Sequence, residues 1–314
     1  LYNRALAIRL SVLGPDDLDT AQSQNNLAAV YVAGGHYAEA EPLYQQALAT
    51  REKILGSSDP QVAQTLNNLA DLAMRQGRYA EAEPTQKRAL GILEATFGAD
   101  DPEVAISVTN LAAIYDRLER PTEAEPLYRR ALEIREKALG PNHPAVAQSL
   151  NNLAQFFESQ GRLEDTEPLY KRAMKIQQAA LGPDHPDLAT SLSNLARLYQ
   201  AQQRYAEAEP LYSWALAIFI KALGPSHPDV ATNMNNLALL YAAQGRHSDA
   251  IEQFGGALEI LEKNFGSQHP DVATTLENYA GSLRALNRTA EADAKEARAK
   301  AIRDALAAGG ASGG

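Results

Sequence analysis

The 314 residues include no cysteine, one tryptophan and three methionines, and aromatic residues make up only 6% of the chain. Without cysteine there can be no disulfide, no zinc thiolate site and no thiol nucleophile. No apolar run approaches the roughly 20 residues needed to span a bilayer, and no signal segment is present, so a cytoplasmic protein with no membrane partner is expected. Positive charge is also short. Twenty-nine Lys and Arg against 39 Asp and Glu leave a net charge of −10, which argues against nucleic acid, whose phosphates need clustered cations. Catalytic signatures are missing as well: there is no glycine-rich phosphate loop, no His-Glu-x-x-His and no Gly-x-Ser-x-Gly. The expectation is a protein that is not an enzyme, with no catalytic residue, cofactor or metal.

What the chain does have is a period. Gly14, Gly56, Gly98, Gly140, Gly182, Gly224 and Gly266 lie 42 residues apart with no insertion or deletion between them. A fixed repeat of this length means that each unit is one supersecondary element that must stack on its neighbours to bury its apolar face, so function belongs to a surface. Each glycine sits in a punctuation block such as Leu139-Gly140-Pro141-Asn142-His143-Pro144. Glycine tolerates the left-handed conformation that ends a helix, the first proline cannot continue it, and the second suits the first position of the next helix. Asp59 and Asp101 precede Pro60 and Pro102 as N-caps, and His143, His185, His227 and His269 occupy the same slot. Equivalent loops of stacked repeats stand on the order of 10 Å apart, too far to share a metal ion with bonds of about 2 Å, so these histidines read as caps.

Between the blocks the pattern is helical. From Pro144, residues Ala147, Leu150, Leu153, Ala154 and Phe157 recur at threes and fours, Gly161 breaks the run, and Leu169, Tyr170, Ala173 and Ile176 resume it. Alanine is the most rigid element: Ala28, Ala70, Ala112, Ala154, Ala196, Ala238 and Ala280 in the first helices, and Ala47, Ala89, Ala131, Ala173, Ala215, Ala257 and Ala299 in the second. Seven helix pairs are predicted near 18–55, 60–97, 102–139, 144–181, 186–223, 228–265 and 270–307, after a lone second helix over 1–14, in one continuous domain over 1–307. Starting inside a repeat and without methionine, the chain is expected to have more repeats or another domain before it. Glu296 and Lys300 in the charged run Glu291 to Arg303 suit a capping repeat, and 308–314 reads as a flexible small-residue tail.

The segment from Asn26 to Leu48, Asn-Leu-Ala-x-x-Tyr followed by Gly-x-Tyr-x-Glu-Ala and Tyr-x-x-Ala-Leu, resembles the tetratricopeptide repeat. The 42-residue spacing, the Leu-Gly-Pro-x-His-Pro linker and the Asn-Asn-Leu-Ala and Ala-Glu-Pro-Leu-Tyr signatures resemble the long-repeat subfamily typified by kinesin light chains and their bacterial relatives. The resemblance covers residues 1 to about 307. It implies an all-α fold, an α-solenoid forming a right-handed superhelix of seven helix-turn-helix pairs plus a leading partial-repeat helix. It also implies that first helices line a concave groove.

An asparagine column runs through those first helices: Asn26, Asn68, Asn110, Asn152, Asn194, Asn236 and Asn278, doubled by Asn25, Asn67, Asn151 and Asn235. An amide carries both a donor and an acceptor, so it can pair with an extended peptide main chain without reading its sequence. The resemblance implies such a grip, because related asparagines in kinesin light chains and in the O-GlcNAc transferase superhelix hold peptide main chain. The alternative is that they bond to the neighbouring helix. Arg197 lies one turn along the same face, where Arg75, Arg117 and Arg284 are offset by Asp71, Asp116, Glu158 and Glu277. All nine lysines fall in second helices, unlike the groove lysines of the carboxylate-clamp type, so a mixed or weakly charged peptide is the ligand expected.

Trp214 and Ile220 stand where other repeats carry charged or amide residues, with Phe219 beside them; they form either a convex docking patch or a packing substitution in which the indole lies across the gap left by Gly255 and Gly256. Three functions follow in order: a non-catalytic scaffold binding an extended peptide or partner helix in the concave groove; a self-associating solenoid, hence a homo-oligomer; or the sensor or recruitment arm of a larger enzyme or signalling protein.

Overall fold

Seven glycines with φ between 81° and 91° end successive helices, and a side chain placed three or four residues beyond each begins the next. The computed structural model describes residues 1–311, with side chains to 307. The tail expected over 308–314 concerns side chains, and from 312 onward backbone too, that lie outside the described residues. Fifteen α-helices and no strand occur among the described residues, which divide into two units. Unit 1, residues 1–160, carries α1 (Tyr2–Leu13), α2 (Leu18–Ala33), α3 (Tyr37–Leu55), α4 (Pro60–Arg75), α5 (Tyr79–Phe97), α6 (Pro102–Arg117), α7 (Pro121–Leu139) and α8 (Pro144–Ser159). Unit 2, from residue 161, carries α9 (Leu163–Leu181), α10 (Pro186–Ala201), α11 (Tyr205–Leu223), α12 (Pro228–Ala243), α13 (His247–Phe265), α14 (Pro270–Ala285) and α15 (Thr289–Ala311). No helix among the described residues is long and apolar enough to cross a membrane.

The caps take the form the sequence predicts. Asp59 and Asp101 accept the backbone N–H two residues on at 2.8 and 2.9 Å, and the Nδ1 atoms of His143, His185, His227 and His269 do the same at 3.1 to 3.2 Å. Each satisfies a donor that the helix start would leave unpaired. The two alanine columns are at most 1% exposed, because only a methyl group fits where paired helices approach this closely.

Each helix packs against its sequence neighbours within its unit. First helices of successive pairs also meet, α2 with α4, α4 with α6, α6 with α8, and in unit 2 α10 with α12 and α12 with α14, whereas second helices make no such approach. Each unit therefore bends toward its first helices. The side chains match the two spacings. Short groups bridge the inner layer: Asn68 Nδ2 donates to Asn25 Oδ1 at 3.0 Å, Ser107 Oγ to Asn67 Oδ1 at 3.1 Å and Asn233 Nδ2 to Ser193 Oγ at 2.7 Å. Long ones bridge the outer layer, where an arginine at the start of one second helix reaches a glutamate of the preceding one. Arg78 pairs with Glu41 at 2.8 Å, Arg120 with Glu83 at 2.9 Å, Arg204 with Glu167 at 2.7 Å and Arg246 with Glu209 at 2.9 Å. Three of these guanidiniums stack on a tyrosine, Arg120 on Tyr115, Arg204 on Tyr199 and Arg246 on Tyr241, at 4.0 to 4.4 Å from the ring centre.

Glu167 is the most strongly held of these carboxylates. The hydrogen bond from Arg204, joined by those from Lys171 and Tyr199, outweighs partial burial and draws its carboxyl down to about 2. A depressed carboxyl contributes stability above its unfolded value near 4.5, and that contribution disappears as pH falls through about 2. Glu167→Gln is expected to cost about 2 kcal/mol at pH 7 and progressively less below pH 4.5, a convergence that thermal melts of both proteins across that range will register. A constant difference down to pH 2 would remove the ion cluster from the account.

Candidate functional site

The inner layer carries the asparagine columns, and the two columns part company there. In the doubled column, Asn25 is 4% and Asn151 7% exposed, and Asn67 accepts from Gln86 Nε2 at 2.7 Å as well as from Ser107. These side chains serve contacts between helices, with Asn25 and Asn67 accepting hydrogen bonds from neighbouring helices. Asn235 is half-buried, with no hydrogen-bond partner for its Oδ1.

The single column is more open. Asn26 is exposed and accepts from Gln22 Nε2 at 2.8 Å. Asn68, Asn110, Asn152, Asn194, Asn236 and Asn278 are half-buried, their stems against the helix pair. Arg197 is exposed on α10, one turn beyond Asn194. The difference between adjacent positions is angular: about 100° of helix rotation carries a residue from the bend of the layer into the seam with the next repeat.

In unit 2 the column borders a cleft of about 200 Å³ between α10 and α12, with Asn194, Asn233 and Asn236 in its lining and Phe219 of α11 behind them. Two amide atoms there lack partners, Asn194 Nδ2 and Asn233 Oδ1. An unpaired donor and an unpaired acceptor in one cleft can each be met by a group of a bound molecule. This cleft was not legible in the sequence. Its signal was there in register: Phe219 and Asn233 are the odd members of columns that otherwise read Arg9, Arg51, Leu93, Arg135, Gln177, Leu261 and Arg303, and Ser23, Thr65, Ser107, Ser149, Ser191 and Thr275.

The convex patch requires correction. Phe219 is 6% exposed and packs with Leu188, Leu192 and Val230, so it faces inward, away from solvent. Trp214 is half-buried against the same cluster, and Ile220 alone is exposed, at 41%. The gap at Gly256 is filled by Met234, whose Cε would clash with a Cβ built there. Elsewhere in this outer register arginine pairs with glutamate, Arg88 with Glu52, Arg130 with Glu94 and Arg298 with Glu262 at 2.5 to 2.7 Å. Trp214 and Gly256 occupy the arginine position, and Ile220 the glutamate one.

The model of the tetratricopeptide repeat matches residues 1–53, 61–137, 106–165, 146–221 and 198–263. Among solved structures, the chain is similar to BtubC (BKLC) from P. vanneervenii, at 24% identity and a TM-score of 0.61, covering 78% of this chain and 92% of that one. A putative kinesin light chain from P. anserina with nearly identical repeats is 28% identical, with a TM-score of 0.56 over 65% of this chain and 97% of its own. A signal-transduction ATPase with numerous domains from Pyrococcus horikoshii, which carries a tetratricopeptide repeat sensor, is 18% identical with a TM-score of 0.67, covering 97% of this chain but 45% of that protein. No curated protein matches the sequence.

Proposed function

Since the chain belongs to the tetratricopeptide repeat family, we propose that it is a non-catalytic scaffold that binds an extended peptide segment along the face of its first helices. The family's fold generally serves protein–protein interaction, which sets the class of partner. The observation that carries the finer reading is the cleft between α10 and α12, where Asn194 Nδ2 and Asn233 Oδ1 are unpaired beside the half-buried Asn236. Buried polar atoms are nearly always paired in folded proteins, and a bound segment supplies the missing groups. Asn278 extends the same contact within unit 2; in unit 1, Asn26, Asn68, Asn110 and Asn152 offer a main chain the same amides on their own helices, and Asn25, Asn67 and Asn151 act as the framework behind them.

Two hydrogen bonds lost at about 1 kcal/mol each predict that Asn194→Ala/Asn236→Ala weakens binding of extended peptides at least tenfold, with the thermal melt unchanged. Asn25→Ala is expected to do the reverse, lowering the melt because Asn68 loses its acceptor, while peptide affinity in unit 2 stays the same. Fluorescence anisotropy with peptides chosen from an unbiased library, alongside circular dichroism melts, reads both. Equal peptide affinity for the wild type and the double variant would overturn the proposal.

A further inference from the structure

One register of second-helix residues fills a recurring slot with arginine. In unit 1, Arg9, Arg51 and Arg135 each reach into the start of the next first helix, and each guanidinium meets the same two acceptors. Arg9 donates to the Asp19 carbonyl at 2.9 Å and to Ser23 Oγ at 2.6 Å. Arg51 donates to the Gln61 carbonyl at 2.8 Å and to Thr65 Oγ1 at 2.7 Å. Arg135 donates to the Ala145 carbonyl at 3.1 Å and to Ser149 Oγ at 2.8 Å. Arg51 makes the fullest set, donating also to Gln22 Oε1 at 2.6 Å and Gln64 Oε1 at 3.4 Å.

Between α11 and α12 of unit 2 the 42-residue register puts Phe219 at this position, as it puts Gln177, Leu261 and Arg303 at the others. A phenyl ring carries no donor, and the slot is left as the cleft of about 200 Å³ already described. Its lining includes Thr190, Asp229, Thr232 and Asn233, the register equivalents of Gln22, Gln61, Gln64 and Thr65, the four residues that Arg51 touches. Asn233 is 1% exposed; its Nδ2 is engaged by Ser193, and its Oδ1 has no partner. That oxygen belongs to the residue whose counterparts, Ser23, Thr65 and Ser149, accept from arginine.

We propose that this cleft receives an arginine side chain of the bound protein segment, supplied from outside where Arg9, Arg51 and Arg135 are supplied by the chain itself. The planar fork of a guanidinium serves two acceptors at once, which an ammonium group cannot do from one position. The Asp229 side chain, 56% exposed at the start of α12, adds the opposite charge at the mouth, and the Phe219 ring gives the guanidinium a face to lie on. Arg197 is the one basic residue of α10 and α12, and it lies toward the far end of α10 from Thr190. The inference rests on the peptide-binding reading, because Asn194 and Asn236 border the same cleft and would hold the main chain that carries the arginine.

The test is selection of phage-displayed random dodecapeptides on the full chain, followed by synthesis of the selected peptides with arginine or its neutral isostere citrulline. The expected result is an arginine at one fixed position, a loss of at least tenfold in affinity on replacement by citrulline, and a comparable loss for the arginine peptide with Phe219→Arg, which fills the slot from within. Asp229→Asn, at an exposed position, keeps the test valid should Phe219→Arg disturb folding, and it is expected to weaken the arginine peptide but not the citrulline one. Selected peptides without a fixed arginine, or equal affinity for both forms, overturn the arginine assignment and leave peptide binding standing. Failure to select any peptide overturns both.

Discussion

Arg51→Ala is expected to destabilise its helix pairs by about 3 kcal/mol, whereas Arg51→Leu costs about 2 kcal/mol. Arg51 is fully buried, and burial lowers the pKa of its guanidinium, which nonetheless stays charged at neutral pH. Either variant leaves the Gln22 and Thr65 oxygens without their donor, at a cost of about 1 to 3 kcal/mol, and alanine opens a void besides. Leucine instead fills the volume, and the chain already accepts that solution: Leu93 and Leu261 occupy the same register at 7% and 4% exposure. The Thr65 hydroxyl donates to the Gln61 carbonyl at 3.1 Å, a bond that both variants keep. Urea denaturation of the three proteins decides it; equal losses for Ala and Leu would mean that the charge itself holds the slot together.

Tyr212→Ala is expected to be at least as costly, about 3 to 5 kcal/mol, because it empties an aromatic position at the centre of a helix pair. The ring is 1% exposed, and its hydroxyl donates to Gln200 Oε1 at 3.2 Å. Tyr212→Phe should cost only about 1 kcal/mol, since Phe254 fills the corresponding position one repeat on, fully buried and with no hydroxyl. In a stacked array each repeat is stabilised by its neighbours alone, so the loss is local. Amide hydrogen exchange is therefore the sharper measurement, with protection falling most in α10 and α11. A uniform drop along the whole chain would show that the array unfolds as one cooperative block.

Local chemistry in the sequence determined the helices. Gly140, Pro141, His143 and Pro144 stop one helix and start the next within five residues, and the alanine and aromatic positions recur at threes and fours, so the helix pairs and their caps follow from interactions a few residues apart. The 42-residue period likewise implied stacking. Which of two adjacent asparagines faces a ligand was a different matter. Asn25 and Asn26 are chemically the same, and only the packing of α4 on α2, which brings Asn68 to Asn25 across 43 residues, buries one and leaves the other open. Phe219 turned inward for the same reason, since its neighbours Leu188 and Val230 come from other helices. The arginine staples were likewise not legible in the sequence, because each guanidinium finds its carboxylate 37 residues away. Contacts between repeats depend on how one helix pair is set against the next, and that angle comes from the summed packing of many side chains, which no local window of sequence contains.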